Sequence, residues 1–284
     1  MKEALNGNTL FNLIAMVRQE IRLPILVVEG DDDYFVLEKH KSDDLYLITG
    51  GGGRPMVLAA AALAQRHSLP AVKFLADADF DRFVNPAHAH PENVVLSHHH
   101  DFFMDLIFAQ PHIIDWVIQT HYRSALRRNG NTAQPPELRK MAVLLAARLA
   151  ALRIVNERKG LGLNLKEFPF GKFRSLEPTV DAIARIAIER SDTALSVDEL
   201  VLEIEEESAH KSAEINFLVG DHDFFRALAR VLDQYKIKVS DTTLCSSFIS
   251  ALNCGLIMTA KWYETITHWC STYGYTAFRC PCLN

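Results

Sequence analysis

The chain has 284 residues, 49% hydrophobic and 23% charged, with a net charge of −5. That balance is ordinary for a soluble globular protein and long enough for one large domain or a core with an appended lobe. No apolar run approaches the ~18 residues a membrane span needs; the best, residues 141–155, is broken by Arg148 and Arg153. Glu3, Arg18, Glu20 and Arg22 interrupt the start, so no signal-peptide pattern forms and the cytoplasm is the expected compartment.

Taken in chain order, residues 9–22 read as an amphipathic helix. Ile25-Leu-Val-Val28 is a short apolar run with the look of a strand buried on both faces, and it ends in Glu29-Gly30. A helix follows over 31–39. A second strand over 45–48 ends in Gly50-Gly-Gly-Gly53, and the Ala- and Leu-rich stretch 54–66 is helical. A third strand over 72–76 runs into Asp77-Ala-Asp-Phe-Asp81; a fourth over 94–97 runs into His98-His-His-Asp101 and another helix. Strands alternating with helices at this spacing predict an α/β fold with a parallel, doubly wound sheet. The middle is mostly helical, with a break at Pro135-Pro136 and a loop over 160–171. A returning strand is expected over 215–219, a helix from Asp221, and a helical C-terminal region. The domain expectation is a core over 1–110, a basic helical lobe over 111–210 and a partner- or dimer-contacting region over 211–284.

All five cysteines lie in the last forty residues, which suits reduced thiols better than a disulfide framework. Cys270, Cys280 and Cys282 with His268 are a zinc alternative, though they lack a paired C-x-x-C. Charge is segregated. Residues 121–174 hold twelve Lys or Arg against three acids, a local +9 that leaves −14 for the remainder. A basic lobe of this kind attracts a phosphate backbone. The alternative is a solvated face paired with the acidic stretch around Glu203 to Glu207.

In an open parallel sheet, ligands sit beyond the carboxyl ends of the strands. Glu29 ends the first strand and Asp77 the third, and the spacing of Asp77, Asp79 and Asp81 can project two or three carboxylates to one side. Such a cluster repels itself unless a cation neutralises it, and hard carboxylate oxygens favour Mg2+ or Mn2+. A metal there would activate water and stabilise charge on a phosphoryl group. The other reading makes D-x-D a loop or helix cap.

Val27-Val-Glu-Gly30 with Asp33, the glycines at 50–53, and Asp77-x-Asp79-x-Asp81 resemble the Toprim domain of OLD-like nucleases. The likeness is closest to AriB-type effectors of PARIS anti-phage systems. His100-Asp101 with Met104-Asp105-Leu106, residues 163–173 and Val219-Gly-Asp-His-Asp-Phe-Phe225 are similar as well. The resemblance implies a Toprim fold and Mg2+-dependent phosphodiester cleavage, with Glu29, Asp33, Asp77, Asp79 and Asp81 as expected metal ligands and Glu29, Asp77, Asp79 and Asp101 catalytic. It also implies an ABC-type ATPase partner that restrains the nuclease until a phage protein triggers release. RNA, tRNA in particular, is favoured over DNA. Phe103 stands where such proteins often carry a further acid, with Asp105 as a substitute.

Gly51, Gly52 and Arg54 are candidates for phosphate binding at a helix N-terminus, or else form a tight turn; the run lacks a P-loop lysine. Lys159, Lys166, Lys172 and Arg174 are candidates to hold the scissile phosphate, Lys172 in a catalytic role, or are plain surface charges. One of His98, His99 and His100 is a candidate acid, base or phosphate contact. Trp262, Tyr263, Trp269 and Tyr273 would stack bases or form a packed or homodimer face. The non-nuclease reading is a Toprim module that docks to an ATPase without catalysis; primase- or topoisomerase-like chemistry has only Tyr34 near the acids.

Overall fold

The structure, a computed structural model, describes residues 6–129, 133–208 and 214–280, and the side chains at 124–129 lie outside the description. In chain order the elements are α1 (Gly7–Glu20), β1 (Ile25–Val28), α2 (Asp31–His40), β2 (Tyr46–Thr49), α3 (Arg54–Arg66) and β3 (Val72–Ala76). Next come α4 (Asp81–Val84), β4 (Val94–Leu96), α5 (Phe102–Ala109), α6 (Pro111–Asn129) and α7 (Pro135–Lys159). The rest are α8 (Val180–Glu189), α9 (Val197–Ser208), α10 (Asp221–Gln234), α11 (Asp241–Ala251), α12 (Cys254–Ile257) and α13 (Lys261–Ser271). No helix of the described residues is long and apolar enough to cross a membrane.

The chain folds as two units. One comprises Met1–Ala78, Ala87–Ala109 and Leu252–Asn284; the other comprises Asp79–Pro86 and Gln110–Ala251. The C-terminal region thus divides, with 252–284 joining the sheet and 211–251 joining the helical lobe, in place of a separate 211–284 segment.

The first unit is an α/β layer around four parallel strands in the order β2-β1-β3-β4. β1 is central and every residue of it is buried, which is why its sequence is apolar without alternation. Ile25, Val27 and Phe74 pack with Leu10 and Ile14 of α1 and Val57, Ala60 and Ala61 of α3. The small alanines of α3 let that helix lie close to the sheet. Because β2 lies on one side of β1 and β3 on the other, the direction of winding reverses at β1/β3. That reversal opens a crevice at the strands' carboxyl ends.

The second unit is helical. Arg153 of α7 holds Asp223 of α10 through two bonds of 2.5 and 2.8 Å, and also donates to the Leu165 carbonyl at 3.1 Å. The returning strand expected over 215–219 does not form: Ile215–Phe217 is a single 3-10 turn. Leu218 there packs into a cluster with Phe80, Ala150 and Ile154, so the apolar run meets a helix face instead of a strand partner.

Candidate metal-binding edge of the sheet

Register fixes the placement of the acids. Val28 pairs with Thr49 on one side and Leu75 on the other, and Ala76 pairs with Leu96. Glu29, Gly50, Asp77 and Ser97 therefore leave their strands along one edge of the sheet. The Asp77 N–H donates to Glu29 Oε2 at 3.3 Å, so the Glu29 carboxylate reaches the Asp77 main chain at the winding reversal. Arg54 Nε donates to the Asp77 carbonyl at 2.7 Å and lays a positive charge along this edge. Asp77 Oδ1 accepts from the Phe102 N–H at 3.0 Å, at the first turn of α5, where a carboxylate is favoured by the exposed N–H groups.

Asp33 reaches back from the first turn of α2 to accept from the Gly30 N–H at 3.1 Å. Burial, against that bond and with Asp101 and Asp32 nearby, raises its carboxyl to about 6. Asp101 is buried; its Oδ1 accepts from Met104 N–H at 2.8 Å and its Oδ2 lies 3.3 Å from His100 Nδ1. Asp101 thus caps α5 and stands within electrostatic reach of Asp33.

Asp105 has a different task from the substitute ligand expected of it. Only 3% exposed, it accepts from the His98 N–H at 2.9 Å and the His99 N–H at 2.6 Å, and its Oδ1 lies 2.9 Å from His99 Nδ1. It is the internal brace of the histidine loop. Phe103 is buried in the core. His98 meets Lys261 of α13, with 3.1 Å from Nε2 to Nζ.

Asp79 and Asp81 fall in the second unit. The extended chain ends at Ala76, Asp79 has a left-handed φ of 46°, and Asp81 opens α4. Strand alternation therefore does not align the three aspartates, in contrast to the expectation from their spacing. Asp is among the few residue types that tolerate that φ.

The glycine run serves the turn. A Cβ on Gly50 would lie 2.5 Å from Val57 Cγ2 and 3.2 Å from the Val28 carbonyl, while Gly51 has φ +67°. Gly52 would meet Met56 in the same way. Close approach of α3 to the sheet is thus one physical reason for the run.

The carboxylate oxygens of Glu29 and Asp77 are hard donors of the kind that suits a divalent ion such as Mg2+. Among the described residues no group of three or more His, Cys, Asp or Glu stands in metal-holding geometry. A magnesium ion is commonly held by one or two carboxylates with water and substrate phosphate completing its shell, a demand Glu29 and Asp77 can meet.

In the second unit, Arg158 pairs with Glu207 and Lys159 with Glu203, so this part of the basic lobe is matched by the acidic stretch, as the alternative reading held. Lys172 lies 3.4 Å from Glu189, and Lys166 and Arg174 are exposed. Arg127 and Arg128 have side chains outside the described residues. In the first unit, Trp262 stacks on Phe102 with ring centres 4.8 Å apart, Tyr263 stacks on Phe278 at 4.8 Å, and Trp269 is buried. These aromatics form packing, not an open stacking platform. Cys270 is buried, its thiol pushed up to about 12 by desolvation, and Cys282 lies outside the described residues. Trp116, outside the aromatics singled out by spacing, is an exposed indole in α6.

Comparison with protein-family models and with curated proteins yields no match for this chain.

Proposed function

We propose that the chain is a metal-dependent nuclease of Toprim type, acting on RNA in preference to DNA. The observation that carries this is the Glu29 carboxylate seated against the Asp77 main chain at the sheet's winding reversal, where open parallel sheets bind ligands. A bound Mg2+ or Mn2+ would supply Lewis acidity and an activated water. Glu29 and Asp77 would hold that ion. Arg54 fixes the Asp77 main chain and contributes positive charge beside the developing phosphoryl charge. Asp33 and Asp101 set the local field and the cap geometry around the pair. Asp79 and Asp81 belong to the other unit, so the proposed ion is assigned to Glu29 and Asp77 alone.

The motif likeness extends the proposal to an effector of anti-phage defence, restrained by an ABC-type ATPase and released by a phage protein. A second reading is a Toprim module that docks to that ATPase without cleaving. Its support is that Asp101 and Asp105 are spent on capping and bracing, and that Phe103 is a core residue.

The test is incubation of the purified chain with RNA and with DNA in Mg2+ or Mn2+, with Glu29→Ala alongside. Cleavage by the native chain and none by a folded Glu29→Ala protein supports the nuclease. Equal cleavage by both removes it, and no cleavage by the native chain under any metal favours the docking module.

A further inference from the structure

Of three tryptophans, Trp262 and Trp269 are 1% and 8% exposed, whereas Trp116 is 59% exposed. A large indole left in water forgoes burial worth about 2 kcal/mol, so its setting asks for a reason. Trp116 forms one wall of a groove of about 580 Å3 within the helical unit. Val117 and Thr120 of α6 and a stripe of α11 hydroxyls (Thr242, Ser246 and Ser250 among them) that ends in Ala251 line the rest of it, and no charged side chain does. Positions 242, 246 and 250 make one helical stripe with 243 and 247 beside it, while Leu244 and Phe248 are buried on the inner side.

This lining discriminates among ligands. A protein-binding core would be depleted of serine, and a phosphate pocket would carry cations. An aromatic plate with small apolar and neutral hydroxyl neighbours suits a flat ring with a polar edge. The hydroxyls are biased toward accepting. Ser247 donates to the Thr243 carbonyl at 2.8 Å, Ser250 to the Ser246 carbonyl at 2.8 Å, and Thr120 to the Trp116 carbonyl at 2.9 Å. Ser247 Oγ already lies 3.1 Å from His121 Nε2, and Thr242 and Thr243 are bonded to Ser240, so it is the oxygens of Thr120 and Ser250 that call for ligand N–H or O–H donors, such as exocyclic base amines and ribose 2′-hydroxyls. His112 packs edge-on against Trp116 at 5.1 Å and steadies the indole. Arg123 is exposed on α6, seven residues on from Trp116 and three from Thr120, hence on the same helix face, where a phosphate flanking the base would meet it.

We propose that this groove is a base-stacking subsite for single-stranded RNA, in which an unpaired adenine or cytosine stacks on Trp116 and donates to the Thr120 and Ser250 hydroxyls. It rests on the nuclease reading for the class of ligand, and is tested apart from catalysis.

The full chain in EDTA is titrated with single-stranded oligoadenylate, oligocytidylate and oligouridylate of about ten nucleotides, following tryptophan fluorescence. With the other two indoles buried, quenching reports Trp116. The expected result is saturable quenching, with stronger binding of the amino-bearing strands than of oligouridylate; for the Trp116 variants, which lack the reporting indole, the anisotropy of end-labelled strands should show about tenfold weaker binding by Trp116→Ala. Trp116→Phe should recover most of the loss. Unchanged affinity in a folded Trp116→Ala protein overturns the subsite, as does quenching by a neutral oligosaccharide or by self-association in place of RNA. Binding that depends on Trp116 in a chain that cleaves nothing would sink the nuclease and leave the subsite. Metal-dependent cleavage with RNA binding indifferent to Trp116 would sink the subsite alone.

Discussion

Asp77 is bound from two directions: its N–H donates to Glu29 Oε2 at 3.3 Å, and its own Oδ1 accepts from the Phe102 N–H at 3.0 Å. One residue thereby ties the end of β1 to the start of α5, and its charge and its hydrogen bonding can be separated by substitution. Asp77→Asn retains an Oδ1 acceptor for Phe102 and removes the charge. Metal-dependent cleavage should fall at least about a hundredfold, with little change in thermal midpoint. Asp77→Ala loses the cap as well and should cost a further ~1 kcal/mol. Activity assays beside thermal denaturation of both variants check this; an active Asp77→Asn protein would show that the charge is not needed.

Asp33 gives the acidic edge a pH signature. Its carboxyl is raised to about 6 from 3.8, chiefly by burial and then by Asp101 and Asp32, against the Gly30 N–H bond. The folded state holds a proton that the unfolded chain releases near 4. Stability is therefore highest below that pH and declines as pH rises to about 6, by ~1–3 kcal/mol from this group. Urea denaturation at pH 4.5 and 7 should show the decline in the native chain and a smaller one in Asp33→Asn, whose side chain still accepts from Gly30. Mg2+ should restore more stability at pH 7 than at pH 4.5, because only the ionised cluster needs it. Parallel pH curves for the two proteins would contradict the assignment.

Asp105 is the structural counterpart. Two backbone N–H groups and the His99 ring converge on a carboxylate that is nearly sealed from water. Asp105→Ala strands those donors and should cost about 2–4 kcal/mol, with Asp105→Asn milder. Chemical denaturation measures it. A loss of cleavage with undiminished stability would instead point to a direct part for this residue in the chemistry.

The sheet could be read from sequence because its central strand β1 is buried on both faces and its neighbours are mostly apolar. Ile25–Val28 is wholly apolar and Val72–Ala76 has only Lys73 as a polar position, while Glu29 and Asp77 mark where each strand meets water. Residues 215–219 have the same apolar look, but no strand stands beside them. Leu218 is satisfied by Ala150 and Ile154, a tertiary partner that local pattern cannot announce. The D-x-D-x-D spacing misled for a related reason: alternation holds only while the chain stays extended, and here it stops at Ala76. Trp116 escaped notice because its neighbours Val117 and Ile118 are core residues, and an aromatic beside them reads as one more.

The basic lobe can be divided by its ion pairs. Lys159 is matched by Glu203 and Arg158 by Glu207, whereas Lys166 and Arg174 stand exposed with no acid paired to either among the described residues. A cation already neutralised by a neighbouring carboxylate releases few counterions when a phosphate arrives, so its removal changes the salt dependence of RNA binding little. An unmatched one contributes about 0.7 to the slope of log affinity against log salt on a single strand. Lys166→Ala and Arg174→Ala should each lower that slope by roughly this amount, Lys159→Ala should leave it nearly unchanged, and Glu203→Gln should raise it by releasing Lys159. Equilibrium binding of a labelled single-stranded RNA across a salt series in EDTA measures all four. If Lys159→Ala produced the largest fall, the pairing with Glu203 would have to break on binding, and the lobe's free charge would lie at the end of α7 instead of in the loop after it.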